Sequence, residues 1–214
     1  MMRRFWYRVC FVIARVCLFV SHPVFRVWGK EHIPAGRCIY CANHSAALDP
    51  IWFLIALNAP ELIRIIAKQE LRHAPVIGWI MEKFGIVFVN RGAHDVHAYD
   101  ACVEALQSGE QLLVFPEGTR CNGEKHVRAR TGAIRMAAAS DSPLVPVFIT
   151  RNKKLFCPLD VIFGEPYSLQ PDAQQATKEE LQHSADELLR IIYQLGGDSY
   201  ADHIGENGGV LLRG

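Results

Sequence analysis

Short apolar runs alternate with amphipathic segments along most of this chain of 214 residues. The apolar runs are bounded by polar or turn-forming residues, and they predict strands at 37–42, 62–67, 86–89, 111–115, 144–149 and 161–163. The intervening segments predict helices at 51–57, 75–84, 95–107, 129–139 and 177–195. This alternation predicts an α/β fold with a mostly parallel central sheet covered by helices.

The N-terminal segment predicts a helix of a different kind. Residues 9–20 are apolar except for Arg15, a stretch too short and too charged for a transmembrane helix. On a helical wheel three arginines face away from several large apolar residues. The two sides are Arg4, Arg8 and Arg15 against Phe11, Ile13 and Leu18. We therefore predict a membrane-associating amphipathic helix that ends near Pro23. A helix packed on its own domain is the alternative, whereas a cleaved signal peptide is disfavoured because no small-x-small cleavage site follows.

The charge distribution adds support for a leader that faces a membrane. Residues 1–30 carry six of the 23 basic side chains and none of the 22 acidic ones, so their net charge is +6 and that of the remaining chain is −5. A basic, aromatic-rich segment on an acidic body favours an anionic membrane surface over nucleic acid as the partner. We divide the chain into a basic leader at 1–28, one domain at 29–195 and a loosely ordered, Gly-rich tail at 196–214.

The cysteine pattern argues against a metal site. Cys38 and Cys41 have the spacing of half a zinc site, and His44 follows closely. However, the sequence has no second Cys-x-x-Cys, and residues three apart on a strand face opposite ways. We expect the seven cysteines to be free thiols and no metal to be bound.

A histidine and an aspartate five residues apart form the first candidate for chemistry. His44 lies on the loop after the strand at 37–42, and Pro50 disfavours a helical conformation at Asp49. We predict that Asp49 is the N-cap of the helix at 51–57, with Pro50 at its first position. A turn that returns the carboxylate to the imidazole would fix its tautomer and stabilise its charged form. By itself this spacing is common, and a capping aspartate beside an ordinary loop histidine explains it equally well.

Other predicted strands end in polar tips that can converge on the same place. Ligands of α/β sheets bind at the carboxyl ends of strands. Arg91 follows the strand at 86–89, and Arg120 follows the strand at 111–115. Two guanidinium groups there would offer forked donors suited to a phosphate.

In these blocks the chain resembles the lysophosphatidate acyltransferase (1-acyl-sn-glycerol-3-phosphate acyltransferase) family of glycerolipid acyltransferases. The blocks occur in the family's order at residues 43–50, 85–91, 115–120 and 145–147. The resemblance implies that His44 is the general base and that Asp49 orients it. It also implies that Arg91 and Arg120 hold the phosphate of the acceptor, with added charge from Lys68. The remaining residues of that pocket would be Glu117, Gly118 and Thr119, with Glu117 holding the loop rather than reacting.

The resemblance further implies the reaction and its partners. A fatty acyl group would move from an acyl thioester, either acyl-CoA or acyl carrier protein, to the free hydroxyl of a lysophospholipid. The commonest acceptor in the family is 1-acyl-sn-glycerol-3-phosphate, which gives phosphatidic acid in phospholipid biosynthesis, without a cofactor or metal. We expect a peripheral or monotopic protein on the cytoplasmic face of a bacterial inner membrane, with no nucleic-acid partner. The alternatives are an acyltransferase for another lysolipid such as an amino-acid lipid, an acyl-thioester hydrolase, and a lipid-binding protein without turnover.

Overall fold

The computed structural model describes residues 2–58, 63–68, 87–89, 96–121, 127–170, 173–198 and 212–213, with the backbone alone described at 2–7, 67–68, 87–89 and 213. The described helices are α1 Met2–Ser21, α2 Asp49–Leu57, α3 Val96–Gln107, α4 Gly132–Ser140 and α5 Lys178–Leu195. The described strands are β1 Phe25–Trp28, β2 Cys38–Ala42, β3 Arg64–Lys68, β4 Val87–Val89, β5 Gln111–Val114, β6 Leu144–Ile149, β7 Leu159–Phe163, β8 Ser168–Leu169 and β9 Leu212–Arg213. Short 3-10 turns lie at Lys30–His32 and Ala173–Gln175.

Seven of the described strands form one sheet in the order β1-β7-β6-β2-β5-β3-β4. All neighbours in this sheet pair in parallel except β6 and β7, which are antiparallel. The predicted α/β fold with a mostly parallel sheet is therefore confirmed. Strands β8 and β9 form a separate antiparallel pair.

The sheet separates two apolar layers, and strand β2 shows how. Ile39 and Cys41 belong to one cluster of buried residues, whereas Cys38, Tyr40 and Ala42 belong to the other. This alternation follows from the period of two along a strand. Helices α3, α4 and α5 supply the first cluster, and helices α1 and α2 supply the second. Because both faces of β2 are covered, all five of its residues are buried and apolar.

Most predicted elements appear near their predicted positions. The six predicted strands correspond to β2 through β7, and four predicted helices correspond to α2 through α5. Thr177 caps α5 in a capping box, because its hydroxyl accepts from the Glu180 amide while the Glu180 carboxylate accepts from the Thr177 amide. The predicted helix at 75–84 lies outside the described residues, as does most of the predicted tail, of which 196–198 and 212–213 are described.

Strand β1 was not predicted. It pairs in parallel with β7 as an edge strand of the main sheet, although it lies within the segment that we assigned to the leader. Arg26 makes a bidentate pair with Asp160 of β7, with N···O distances of 2.6 and 2.7 Å. Four residues of mixed polarity give too weak a pattern for a sequence prediction.

Helix α1 packs on the domain and also presents an apolar surface. Leu18 is only 3% exposed and packs in the second cluster, with Phe11 partly buried against it. In contrast, Ile13, which we had placed on the same apolar side, is exposed. Four further apolar residues of α1 are also exposed: Val12, Val16, Phe19 and Val20. None of the helices in the described part of the chain is long and apolar enough to cross a lipid bilayer.

Candidate active site

Three loops meet at one edge of the sheet. Strand β2 pairs in parallel with both β5 and β6, so the carboxyl ends of these three strands lie side by side. The loop after β2 carries His44, the loop after β5 carries Glu117 and Arg120, and the loop after β6 carries Lys153. This edge is where ligands of such sheets bind.

Asn43 fixes the start of the first loop. Its side-chain amide donates to the carbonyl of Ile149 at 2.9 Å, and its oxygen accepts from the Ile149 amide at 2.7 Å. The side chain thus continues the pairing of β2 with β6 one residue beyond the strand. The side chain of Asn43 satisfies both backbone groups of Ile149, and this pair of hydrogen bonds ties Asn43 to the sheet. The position of His44, the next residue, is therefore set by the sheet.

The carboxylate of Asp49 is fully buried and lies at the centre of the site. Its Oδ2 faces His44 Nδ1 at 3.0 Å and accepts from the amides of Ser45 and Ala46 at 2.7 Å each. Its Oδ1 lies 2.8 Å from the ammonium of Lys153. Four polar groups therefore surround one carboxylate.

This geometry corrects our prediction that Asp49 caps α2. The N-cap is Leu48, which makes no side-chain capping bond, and Asp49 is the first helical residue, so Pro50 takes the second position. The carboxylate turns back onto the amides of the preceding loop instead of forward onto the helix. The amides of Ser45 and Ala46 point into the site, where the imidazole and the ammonium also lie.

His44 is placed by contacts on three sides. Its side chain is 16% exposed, its ring stacks on Phe115 with 4.3 Å between centroids, and its carbonyl accepts from the Cys121 amide at 2.7 Å. Because Asp49 occupies Nδ1 as an acceptor, the proton of a neutral ring lies on Nδ1 and Nε2 is the basic nitrogen.

Electrostatics keep Asp49 ionised. Burial by itself raises the pKa of Asp49, but the hydrogen bond from His44 and the charge of Lys153 outweigh burial, so its pKa lies below the ordinary value. Burial lowers the pKa of Lys153, and Asp49 opposes that shift. The carboxylate is the acceptor for every donor around it, so its ionised form holds the loop together.

The predicted pocket residues on the loop after β5 differ in how far they are buried. Glu117 is buried and accepts from the Tyr193 hydroxyl at 2.7 Å, and burial raises the pKa of Glu117 although that hydrogen bond opposes the shift. Gly118 has a φ of 66°, which favours glycine. Thr119 and Arg120 are exposed.

Arg130 is a second guanidinium at this loop. Its amide donates to the Pro116 carbonyl at 2.7 Å, and its side chain lies 3.1 Å from where a Cβ of Gly118 would be. A larger residue at Gly118 would displace this side chain. Arg120 and Arg130 thus flank the same turn, and both are exposed.

Two predicted residues are only partly placed or not placed. Lys68 is the last residue of β3, which pairs in parallel with β5, so its backbone lies at the same edge as His44. Its side chain is not described, and Arg91 lies outside the described residues. Cys38 and Cys41 lie on opposite faces of β2, as their spacing predicts.

The sequence reasoning missed Lys153 and Tyr193. Lys153 follows β6 by four residues, in a polar tip of the same type that drew attention to Arg91 and Arg120, and this signal could have identified it. Tyr193 lies in an ordinary amphipathic helix, α5, and nothing in its local sequence distinguishes it from a core residue.

Comparisons with known proteins identify the family of this chain. A family model described as Acyltransferase matches residues 24–150, more than half of the chain. A 1-acyl-sn-glycerol-3-phosphate acyltransferase of Bacillus subtilis is 30% identical over 88% of this chain and 96% of its own length. This chain belongs to the lysophosphatidate acyltransferase family.

Two further proteins are similar to this chain, one in sequence and one in sequence and fold. A lyso-ornithine lipid O-acyltransferase of Pseudomonas aeruginosa is 33% identical over 59% of this chain and 48% of its own length. The crystal structure of the 1-acyl-sn-glycerophosphate acyltransferase of Thermotoga maritima matches with a TM-score of 0.61 and 26% identity, over 84% of this chain and 74% of that one. The chain spans only 43–66% of the length of several other curated relatives.

Asp49→Asn is expected to destabilise the fold as well as reduce activity. From the sequence alone, a capping role predicts little change, because asparagine also caps. In the structure the substitution removes the charge opposite the buried ammonium of Lys153, and breaking a buried pair costs about 3–5 kcal/mol. Urea denaturation at neutral pH measures this loss, with the exposed Asp100→Asn as the matched control.

The same measurement has a pH dependence with a definite sign. Because the folded state lowers the pKa of Asp49, its stabilisation is present above the pKa of an unfolded aspartate, about 4, and is lost as pH falls through the folded value. The difference between wild type and Asp49→Asn should therefore shrink on acidification. A difference that stays constant down to pH 2 would contradict the assignment.

Proposed function

We propose that this protein transfers a fatty acyl group from an acyl thioester to the free hydroxyl of a lysophospholipid, with 1-acyl-sn-glycerol-3-phosphate as the acceptor and phosphatidic acid as the product. The observation that carries the proposal is the contact between His44 Nδ1 and the buried Asp49 at the ligand-binding edge of the sheet. Membership of the family supports the reaction class, and the name of the Bacillus subtilis relative supports the acceptor.

The geometry suits general-base catalysis. His44 Nε2 would take the proton of the acceptor hydroxyl as its oxygen attacks the thioester carbonyl. Asp49 would stabilise the imidazolium that forms, as in a hydrolase triad without its serine. The C–S bond then breaks, and the thiolate takes the proton back from the imidazolium. The pKa of such a thiol is about 8.5, so it leaves with little help.

Ser45 does not suit the role of a nucleophile. Its hydroxyl accepts from Lys153 at 2.6 Å and donates to the Arg151 carbonyl at 3.2 Å, so both its proton and one lone pair are in use. Direct transfer to the acceptor is therefore favoured over an acyl-enzyme.

An anionic acceptor suits the exposed arginines of the second loop. Arg120 and Arg130 flank the turn at Gly118, next to the loop of His44, and planar guanidinium groups bind phosphate through paired hydrogen bonds. Arg91 and Lys68 are proposed to contribute to the same pocket. The Pseudomonas aeruginosa relative favours a lyso-ornithine lipid as the second candidate acceptor.

The outer surface of α1 is proposed to hold the protein at the membrane that contains the acceptor. Phe19 is 72% exposed, and the loop after β6 adds Leu155 and Phe156 at 67% and 70%. The amide of Phe156 donates to the carbonyl of Ser21 at 2.7 Å, so this loop continues the exposed surface of α1. With Arg8, Arg15 and Lys154 exposed as well, this surface combines apolar and basic groups.

His44→Ala is expected to abolish transfer while the fold is kept, since the side chain contributes to the rate rather than to the core. A general base typically contributes about 10²–10⁴-fold. The assay supplies labelled acyl-CoA or acyl carrier protein with lysophosphatidate, with lyso-ornithine lipid, or with no acceptor. Transfer to lysophosphatidate supports the proposal, faster transfer to lyso-ornithine lipid supports the second candidate, and acceptor-independent release of fatty acid indicates a hydrolase. Activity of His44→Ala within tenfold of wild type would remove His44 from the mechanism.

Arg120→Lys is expected to weaken acceptor binding even though the charge is retained, because the forked geometry is lost. The KM for lysophosphatidate should rise while the KM for the donor stays unchanged. Arg37→Lys is the matched control, because Arg37 precedes β2 at the opposite edge of the sheet. An equal change in both KM values would instead indicate a disturbed loop or contacts with the donor.

Replacing Val12, Val16 and Phe19 of α1 together by serine is expected to release the full-length protein from vesicles. Each such side chain contributes about 1.5–3 kcal/mol when its apolar surface is removed from water. These residues are exposed, whereas deletion of the helix would also remove the buried Leu18. Turnover should fall on acceptor embedded in a bilayer and not on a short-chain acceptor dissolved in water. Val96→Ser, on α3 of the opposite layer, is the control. Unchanged pelleting with anionic vesicles would exclude this surface as the anchor.

A further inference from the structure

We infer that Lys153 is a positioning residue of the reaction: it balances the charge of Asp49 and so keeps His44 neutral and able to accept a proton. The inference rests on the proposed function, because it assigns Lys153 a part in the action of the same base. No substrate contact is attributed to Lys153.

The geometry divides the two oxygens of Asp49 between two partners. His44 Nδ1 lies 3.0 Å from Oδ2, and the Lys153 ammonium lies 2.8 Å from Oδ1. The ammonium also donates to Ser45 Oγ at 2.6 Å, within the loop that carries His44. The side chain of Lys153 is only 8% exposed, and that of Asp49 is not exposed. The carboxylate thus faces the imidazole with one oxygen and the ammonium with the other.

The charges at these positions decide the protonation of the base. A buried carboxylate with no other counterion stabilises an adjacent imidazolium, and an imidazolium cannot accept the proton of a hydroxyl. A lysine on the far oxygen already compensates the carboxylate, so the imidazole gains less from becoming charged. Asp49 then orients the ring while Lys153 compensates the charge of the carboxylate.

Other titratable and charged groups near His44 do not replace this pair. Glu117 lies on the loop after β5, and burial raises its pKa, which favours its neutral form. Arg151 stands over the Tyr193 ring and lies 3.6 Å from Asp198. His22, after α1, has its pKa lowered by burial and by the charge of Lys153. Cys121 contributes its backbone amide to the His44 carbonyl. Among the described groups, Lys153 is the cation in direct contact with Asp49.

The test is the pH dependence of kcat/KM between pH 6 and pH 9, on a short-chain acceptor in water. Lys153→Gln removes the charge and keeps an amide donor, Lys153→Met removes both, and Lys153→Arg keeps the charge. Lys178→Gln is the matched control, since Lys178 is exposed at the start of α5, outside the site and the proposed membrane surface. Circular dichroism and urea denaturation check that each variant is folded.

Loss of the charge should move the acidic limb of the profile to higher pH by about one unit or more. The Asp49 carboxylate is then an uncompensated opposite charge in contact with the imidazole, and such a charge shifts a titration by about one to three units. On the acidic limb the rate of the variant should then fall below that of the wild type, by up to about tenfold for a shift of one unit, and it should largely recover at pH 9. Lys153→Arg and Lys178→Gln should keep the limb of the wild type. A purely structural role would lower the rate equally at every pH, and that result would overturn the inference.

Two measurements keep the outcome decisive. If Lys153→Met does not fold, Lys153→Gln carries the test, because its amide still satisfies one oxygen of Asp49. NMR titration of the His44 ring in the wild type and in Lys153→Gln reports the charge balance without any substrate. If the wild type transfers no acyl group, the proposed function fails while the titration still tests Lys153. An identical ring titration in the two proteins would overturn the inference.

Discussion

The buried carboxylate of Asp49 is the constraint on which the site depends. Removing an ionised group from water is so unfavourable that it is tolerated only with several donors around it. Here the donors are two backbone amides, an imidazole and an ammonium, all within 3.0 Å. Satisfying this one group folds residues 44–49 into a single conformation and draws the loop after β6 against them. The orientation of the base is therefore a consequence of solvating a charge inside the protein.

The sheet fixes the positions at which the three loops begin. Strands β2, β5 and β6 are adjacent and parallel, so three loops start from fixed points at one edge. Each loop is then tied to another. Asn43 bonds to Ile149, the amide of Cys121 bonds to the carbonyl of His44, and Lys153 reaches Asp49. Two of these ties join the loops after β2 and β6, and the third joins the loops after β2 and β5, so the loop of His44 is held from both sides.

The sequence predicted the elements that local pattern determines. Apolar runs located six strands of the main sheet, and Thr177 with Glu180 located the start of α5, because these features depend on neighbours a few residues apart. The sequence also located His44 and Asp49. It misassigned Asp49 as a helix cap, because the same residues precede the helix whether the carboxylate turns toward the helix or back to the preceding loop. Lys153 and Tyr193 were missed because their roles depend on partners 104 and 76 residues away in the chain. Strand β1 was missed because its four residues of mixed polarity give too weak a local pattern.

The exposed apolar surface and the proposed catalytic pair are parts of the same short segments. Leu48 is half-exposed and directly precedes the buried Asp49, and Phe156 is exposed three residues after the buried Lys153. Helix α1 joins both segments, since the carbonyl of Ser21 accepts from the amide of Phe156 and His22 packs edge-on against Trp52 of α2. A lipid acceptor has its acyl chain in a membrane and its hydroxyl at the headgroup level. An apolar surface within a few residues of the proposed base would bring such a hydroxyl to His44 while the chain stays in the membrane, so the proposed membrane contact and the proposed catalysis would belong to one structural unit.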